Sequence, residues 1–381
     1  MRNPVSRIGH YLVLALLAVG TASAAHSQTY KFSTIYSFKN NGRDPQFPLA
    51  AMTIDGAGNL YGTSEEGGHF GNGTVFKVNR AGVSVIHNFG AFGDGWGPTT
   101  GVARDKAGNL YGGTRGGPDG EGVVYKLTPS GTETLLFVNP EGSDLGVPGS
   151  VSLDPAGNVF GITNVWIFEI DTTNQFFQLY LFCSLPNCSD GADPQGKMVL
   201  DRAGNFYGST AEGGDTNNGV IFKFTPSSGV ETVLHSFTGT DGTSPSDLKQ
   251  DAAGNLYGVT LSGGLYGLGT LFKLPEAGGT LTTLYNFCSR LGCKDGQFPI
   301  GRVQLDKAGN IYGVTTQINS SSGGVVWEVN KAGKEIVLHT FPVEEGPFAG
   351  LTIDSEGNLY GVTFSGGVNQ IGSVFKLTLV K

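Results

Sequence analysis

The side chains that could do chemistry lie in a few glycine-rich segments of the chain. They are mostly acidic, with one histidine, one arginine and one tryptophan among them, a mixture that fits a sugar or a cationic group. The candidate ligand-binding residues are Glu65, Glu66, His69, Trp96, Arg115, Asp119, Glu121 and Asp215. No nucleophile elbow, Walker loop, HExxH motif or dinucleotide fingerprint accompanies them, so no catalytic residue is assigned.

The four cysteines form two equivalent pairs, each with four residues between its members. The pairs are Cys183 with Cys188 and Cys288 with Cys293. In an exported protein this spacing predicts two local disulfides, each clipping one loop. A zinc site is the alternative, but the pairs begin 105 residues apart, in non-adjacent units of the repeat described below.

Two other sets of polar residues recur too regularly to form a unique site. Seven aspartates each begin a glycine-containing turn, but one carboxylate per turn is too few for a calcium loop, so we expect Asx turns. Three histidines share a position that elsewhere holds tyrosine or phenylalanine, and we interpret it as a packing position. These are His87, His235 and His339. We expect neither a metal nor a cofactor.

The repeated aspartates belong to a longer string: Asp, two variable residues, Gly-Asn, an apolar residue, an aromatic and Gly. The seven copies begin at Asp55, Asp105, Asp154, Asp201, Asp251, Asp306 and Asp354. Successive copies lie 47 to 55 residues apart. A period near 50 with strand patterning is typical of a β-propeller blade.

Each copy predicts four antiparallel strands. An apolar residue three positions before the aspartate marks the inner strand, and the aromatic-Gly pair lies in the second. The third has forms such as TVFKV from Thr74, and the fourth has forms such as ETVLHSF from Glu231. Glycine in the second strand predicts that a ring or another backbone lies against it.

The two ends of the chain predict how the ring closes. No fourth strand follows the seventh third strand, whereas residues 32–38 match the fourth-strand pattern without a preceding blade. We therefore predict an all-β fold: one domain, residues 29–381, forming a seven-bladed β-propeller of four-stranded blades. The N-terminal strand should complete the last blade, which removes open sheet edges.

The first residues predict export. Arg2 and Arg7 precede an apolar stretch at 11–19 and a small-residue cleavage site at 22–24, so residues 1–24 should be a signal peptide. We expect a secreted or periplasmic monomer without a membrane span or a C-terminal anchor. The formal charge of −8 becomes −10 without the two arginines, which argues against nucleic acid as a partner.

The strings DKAGNLYGGT, DAAGNLYGVTLSGG and GTLFKL resemble the tandem repeats of exported bacterial proteins known as choice-of-anchor GloVer-containing proteins. The resemblance covers nearly all of the mature chain, and the turn is also similar to that of NHL propellers. It implies an extracellular or surface-associated protein, with no established activity to transfer. Kelch propellers share the period and the double glycines, but their later Tyr and Trp spacing is absent.

Residues shared by seven blades build the scaffold, so a unique site should use residues that break the repeat. The candidates above break it on the loops of blades one, two and four. Blade three almost lacks the loop after Thr163, which predicts a notch beside them. We expect a module that binds an extracellular carbohydrate or a cell-envelope component. The alternatives are a polysaccharide lyase or hydrolase, with His69 near a carboxylate, and a purely structural disc.

Overall fold

The computed structural model describes residues 28–91, 93–118, 122–141, 145–317 and 323–380. Seven antiparallel sheets follow one another along the chain, each with four strands from the axis outward, and blade five divides its inner strand in two. The predicted seven-bladed β-propeller is confirmed. Within the described residues, helix is limited to two 3₁₀ turns, Pro186–Cys188 and Leu291–Cys293.

The first four blades run in sequence. Blade one comprises Thr53–Ile54, Leu60–Ser64, Thr74–Asn79 and Gly82–Asn88. Blade two comprises Ala103–Arg104, Leu110–Gly113, Val123–Leu127 and Glu133–Val138. Blade three comprises Pro148–Leu153, Val159–Thr163, Trp166–Ile170 and Phe176–Leu181. Blade four comprises Ala192–Leu200, Phe206–Glu212, Val220–Thr225 and Val230–Ser236.

The remaining blades close the ring. Blade five comprises Thr243–Pro245 with Lys249–Gln250, then Leu256–Ser262, Thr270–Leu274 and Thr282–Asn286. Blade six comprises Gln297–Leu305, Ile311–Gln317, Val325–Val329 and Glu335–Thr340. Blade seven comprises Thr352–Ile353, Leu359–Thr363, Ser373–Val380 and, from the N-terminus, Thr29–Ser37. A small loop ribbon pairs Pro45–Gln46 with Glu66–Gly67.

The N-terminal strand closes the ring as predicted. It runs antiparallel to the last strand, from Thr29 opposite Val380 to Ser37 opposite Ser373. Its Phe32 ring also stacks on His339 of blade six, with centroids 3.5 Å apart. The strand therefore joins blade seven by backbone hydrogen bonds and blade six by side-chain packing.

The core repeats from blade to blade. The glycine of each second strand lies under an aromatic ring of the third strand. In blade six, a Cβ added to Gly313 would approach the Trp327 ring to 2.2 Å. The apolar residue of each inner strand is buried, as the sequence predicts, and is at most 4 % exposed. Rings over glycines let neighbouring blades pack closely, since no side chain separates them.

The aspartates of the turns are hydrogen-bonded within their own hairpins. Asp201 accepts hydrogen bonds from the backbone N–H groups of Ala203 and Asn205, both at 2.8 Å, and from the Tyr207 hydroxyl at 3.0 Å. The Asn205 amide supplies a further donor at 2.8 Å. These contacts fit the predicted Asx turns, with each carboxylate oxygen occupied by donors from its own hairpin.

The loop that joins the second and third strands of a blade meets the loop that enters the same blade. Gly214 N–H donates to Cys188 O and Gly264 N–H donates to Gly239 O, both at 2.9 Å. Disulfides join Cys183 to Cys188 and Cys288 to Cys293. No helix in the described ranges is long and apolar enough to cross a bilayer. These loops lie together on one face, where a ligand would meet the least regular part of the molecule.

Candidate functional site

A channel runs along the propeller axis. Its volume is about 940 Å³, and its wall includes residues from the inner strands of all seven blades. In every blade the residues on either side of the buried apolar residue both line the channel. A cavity of this size is typical of small-molecule sites. The axis is therefore the first place to look for chemistry that differs between blades.

Most charges of the channel wall lie on one side. At the position before the buried apolar residue, blades four to six carry Lys197, Asp247 and Arg302, and blade five adds Lys249 two residues later. At the same position the other blades carry small residues. These are Ala51, Gly101, Ser150 and Gly350. With Asp193 of blade four, three adjacent blades thus place three cations and two carboxylates around one half of the channel.

Burial disfavours the charge on these cations. It lowers the pKa of Lys197 to about 8, with repulsion from Arg302 adding to the shift and attraction to Asp247 opposing it. Burial and Arg302 likewise lower the pKa of Lys249 to about 8, and burial lowers the pKa of Arg302. Keeping several buried cations close together with fewer anions is unfavourable in free energy. Such an arrangement is typical of an anion-binding site.

The carboxylate among these cations is only partly available to neutralise them. Asp247 accepts a hydrogen bond from the backbone N–H of Lys197 at 2.5 Å. The Arg302 Nε atom donates to the Leu248 carbonyl at 3.2 Å. Within the described part of the chain, no carboxylate lies within salt-bridge distance of Lys197 or Lys249. The charged wall therefore retains unmatched positive charge.

Over the whole channel the charge is positive although the chain is acidic. The lining includes four cations, Arg104, Lys197, Lys249 and Arg302, against Asp193 and Asp247, a formal sum of +2. The whole chain carries −8. A positive interior in an acidic molecule concentrates the field along the axis, so anions are attracted to the channel rather than to the outer surface.

The side of the channel opposite the charged wall is held together by hydrogen bonds between blades. Hydroxyls of inner strands donate to the carbonyl of the buried apolar residue next door: Thr53 to Val102 at 2.5 Å and Ser152 to Met198 at 2.7 Å. Thr352 similarly donates to the carbonyl of Met52. Polar residues there support the ring. Arg302 makes the same kind of contact through its bond to the Leu248 carbonyl, so among the described residues Lys197 and Lys249 stand out as channel cations whose side chains make no such bond.

Three of the sequence candidates come together on the loop face. Arg115 and Glu65 form an ion pair with 2.8 Å between Nη1 and Oε1, and the Arg115 guanidinium lies 5.2 Å from the Trp96 ring centroid. The Trp96 backbone pairs with Gly116, N–H to carbonyl at 2.9 Å. Arg115 therefore covers part of the tryptophan ring, and Glu65 is already matched by a cation.

The other sequence candidates are separate. Glu66 lies exposed in the ribbon opposite Gln46, and Asp215 is exposed on blade four, its backbone N–H bonded to the Ser236 hydroxyl. The His69 ring packs against Phe70 with centroids 4.8 Å apart. Within the described residues no hydrogen bond or ion pair joins the His69 imidazole to a carboxylate. Asp119 and Glu121 lie outside the described residues, as does the predicted signal peptide at 1–24.

Blade three has the short loop after Thr163 that the sequence indicates. Asn164 and Val165 alone join its second and third strands. Ile162 and Thr163 of the second strand and Asn164 of the loop all line the channel. The short loop of blade three is therefore part of the channel wall.

Sequence reasoning missed Lys197, Lys249 and Arg302, although a signal was present. The loop candidates break the repeat between strands, whereas these residues break it inside the inner strands. Aligning the seven strings and reading the position before the apolar residue finds the Lys, Asp and Arg of blades four to six. The repeated sequence string alone does not show that residues far apart in sequence meet at the axis.

The architecture and its channel define a class: a closed seven-bladed β-propeller whose repeats build the scaffold and whose blade-specific chemistry faces the axis. The chain belongs to the Gloeobacter/Verrucomicrobia repeat family, whose profile matches residues 18–199 and 193–381. This confirms the resemblance to the GloVer repeats. Among curated proteins, none matches the chain in sequence.

Solved structures share the fold at low identity. Virginiamycin B lyase from Staphylococcus aureus superposes with a TM-score of 0.64 at 13 % identity, covering 92 % of this chain and all of the lyase. The extracellular domain of the hybrid two-component system BT3049 from B. thetaiotaomicron gives 0.58 at 14 %, covering 91 % of this chain and 40 % of that one. At these identities the likeness shows the fold alone.

Proposed function

We propose that the protein is an exported binding module that takes an anionic group of its ligand into the central channel. The observation that carries this proposal is the charged wall of Lys197, Lys249 and Arg302, none of which lies within salt-bridge distance of a carboxylate in the described part of the chain. A buried anion among these cations would gain strong, weakly screened attraction. It would also offset the burial and the repulsion from Arg302 that lower the lysine pKa values.

The ligand class that best fits is a carbohydrate bearing carboxylates, such as a uronic-acid oligosaccharide of the cell envelope or its surroundings. The channel takes the acid group, and Trp96 precedes the lining segment at Thr99 by three residues. Trp96 is 38 % exposed, so its ring can pack on a sugar that extends from the channel mouth. The two disulfides support export, because such bonds persist in oxidising compartments.

Calorimetric titration with acidic and neutral oligosaccharides of equal length tests the proposal. We expect the acidic ligand alone to bind, with an affinity that falls as salt rises. Arg302→Met and Lys249→Met should each weaken binding by about 30-fold, or about 2 kcal/mol. Lys334→Met, on an exposed outer turn, is the matched control and should change nothing.

Two results would count against the proposal. Equal binding of acidic and neutral sugars would remove the channel cations from recognition. Retained affinity in both channel variants, with loss only in Trp96→Ala, would move the site to the loop face. If no polysaccharide in the panel binds and Trp96→Ala changes nothing measurable, the carbohydrate class should be abandoned.

A β-eliminating lyase is the second candidate, favoured by the pKa of Lys197 near 8 beside Arg302. A lysine amine of this pKa is a competent base at neutral pH. It would remove the proton next to a uronate carboxylate held by Arg302. The resulting carbanion would expel the C4 oxygen, which takes a proton from water and leaves an unsaturated sugar. Ultraviolet absorbance of that product would appear with the protein and vanish in Lys197→Met. If no absorbance develops with any bound acidic sugar, the binding module stands alone.

A further inference from the structure

The joints between adjacent blades share one side-chain contact. One position in each fourth strand holds His, Tyr or Phe. This residue faces a fourth-strand residue of the next blade that lies four positions before that blade's own His, Tyr or Phe. His87 faces Glu133 across blades one and two, and Phe137 stacks on Phe176 across blades two and three, with centroids 3.9 Å apart. In five joints an aspartate of the connecting loop lies at the polar end of the first residue. These pairs are Tyr36–Asp44, His87–Asp94, Tyr180–Asp190, His235–Asp241 and Tyr285–Asp295.

In two of these joints a glutamate of the next blade is accompanied by a tyrosine. Tyr180 donates its hydroxyl proton to Asp190 at 2.9 Å, next to Glu231. Tyr285 donates to Asp295 at 2.6 Å, and Glu335 nearby is paired with Arg290. Each of these joints therefore contains a proton donor or a cation between its carboxylates.

The joint between blades one and two contains two carboxylates and a histidine instead. His87 Nε2 lies 3.4 Å from Asp94 Oδ2 and 3.8 Å from Glu133 Oε1. The three ligand atoms all lie within 4.8 Å of one another. His87 Nε2 and Glu133 Oε1 are both inaccessible to solvent and lack a hydrogen-bond partner. Orphaned buried polar atoms of this kind call for a missing partner.

A natural control lies at the joint between blades four and five. There His235 Nε2 lies 2.8 Å from Asp241 Oδ2, a hydrogen-bond distance. The position of Glu133 is taken by Leu281, four residues before Tyr285 as Glu133 is before Phe137. Where this position holds leucine, the histidine and the aspartate are 2.8 Å apart and form a hydrogen bond. Where it holds glutamate, the same two atoms are 3.4 Å apart. The extra carboxylate thus accompanies a wider gap.

We propose that His87, Asp94 and Glu133 bind a divalent transition metal, zinc in the first instance, which joins blades one and two. Ligand atoms about 2.1 Å from a tetrahedral zinc lie roughly 3.4 Å from one another, close to the two separations found here. One imidazole and two carboxylates suit zinc and similar borderline ions. A zinc ion with three protein ligands takes a water in its fourth position.

The imidazole is also oriented as a metal ligand. The Gly131 backbone hydrogen-bonds the His87 imidazole, and Nε2 faces the two carboxylates. A backbone carbonyl on the second nitrogen is the usual arrangement for a histidine that binds a metal, because it fixes the tautomer and leaves Nε2 free. Asp94 is held by the Gly90 N–H at 2.8 Å to Oδ1, which leaves Oδ2 for the ion.

The test is calorimetric titration of Zn²⁺ into untagged, chelator-treated protein at neutral pH, with Co²⁺ absorption to report the geometry. We expect one ion per chain and the intense visible bands of tetrahedral cobalt. His87→Tyr copies the tyrosine joints and Glu133→Leu copies the leucine joint, so both should fold. Each should weaken binding by more than about 10-fold, the least that loss of even an outer partner costs. His235→Tyr is the control and should bind as the parent does.

A gain-of-site variant sharpens the result. Leu281→Glu should convert the joint of His235 and Asp241 into a second site and raise the stoichiometry to two. Absence of Zn²⁺ and Co²⁺ binding in the folded parent would overturn the proposal and leave a proton on Glu133 as the partner. Binding that persists in both His87→Tyr and Glu133→Leu would also overturn it, because the ion would then lie elsewhere.

Discussion

Two sets of acidic side chains in this propeller have opposite surroundings. The turn aspartates receive donors from their own hairpins: burial alone would raise the pKa of Asp55, but hydrogen bonds from Asn59 and Tyr61 lower it to about 2. The glutamates at the joints are short of donors. Burial and Asp190 raise the pKa of Glu231 to about 8, and burial and Asp94 raise that of Glu133 to about 7. An ionised carboxylate thus stabilises the fold in the turns and destabilises it in the joints.

The difference separates local from assembled structure. A turn aspartate finds its donors within six residues, so every copy of the string satisfies it without help from the rest of the ring. A joint glutamate depends on what the preceding blade presents, which changes from joint to joint. Where that partner is missing, a proton, a metal or a ligand can supply it. The joints and the channel are therefore where function is expected, and the turns are not.

The largest expected effect is the dependence of stability on pH. Five of the turn aspartates have lowered folded-state pKa values, so their contribution is present above their ordinary pKa of 3.8 and is lost as pH falls, for Asp55 toward 2. These five are Asp55, Asp105, Asp201, Asp251 and Asp354. The glutamates have raised folded-state values, so stability is full below their ordinary pKa of 4.5 and declines as pH rises toward 8. The unfolding free energy should therefore peak near pH 4 to 5.

Denaturant titrations of metal-free protein measure this profile. Between pH 5 and pH 8 the unfolding free energy should fall by roughly 3 kcal/mol for the joint glutamates together, allowing for solvent screening. A flat profile over that interval would mean that the joints relax enough to hydrate the carboxylates. The contrast between the two acid sets would then be lost.

The second effect concerns one turn. Asp201→Ala removes the acceptor for two backbone N–H groups, the Asn205 amide and the Tyr207 hydroxyl. We expect a loss of about 2 kcal/mol in unfolding free energy, because charged hydrogen bonds are lost and donors are left unpaired. Arg202→Ala, at an exposed position in the same turn, should change stability by less than about 0.5 kcal/mol. Equal effects of the two substitutions would show that the carboxylate is dispensable.

The fold was predictable from the sequence because its determinants are local and repeated. Each determinant has its own physical basis. The Asp-x-x-Gly-Asn turn closes a hairpin, and the glycine leaves room for an aromatic ring. Residues 32–38 match the fourth-strand pattern but have no preceding blade. The seven copies multiply the signal, since errors in one blade are corrected by the others. This is why closure by Thr29–Ser37 could be expected before any coordinates were known.

The candidate site was less predictable because it is assembled from distant residues. Lys197, Asp247 and Arg302 lie about one blade apart in sequence and meet only when the ring closes. The joint of His87 and Glu133 likewise spans two blades, so the histidine looked like a packing residue when its own strand was read alone. The loop candidates Glu65, Arg115 and Trp96 do meet, but as a matched ion pair and a covered ring.

The smallest expected effect is at a single joint. Glu231→Gln keeps the shape of the side chain and removes the charge that burial disfavours. At pH 8 we expect the variant to be more stable than the parent by about 1 kcal/mol, because the parent must then ionise in the joint. At pH 5, where Glu231 is protonated in the folded parent, the two proteins should be equally stable. Denaturation midpoints at the two pH values measure the difference.

The matched control for Glu231→Gln lies on the same blade. Glu212 is exposed at the end of a second strand, and Glu212→Gln should leave both midpoints unchanged. If Glu231→Gln instead destabilises the protein at pH 8, the ionised carboxylate must be satisfied in the joint. The Tyr180 hydroxyl would then serve Glu231 as well as Asp190, and this joint would resemble the aspartate turns rather than the joint of His87.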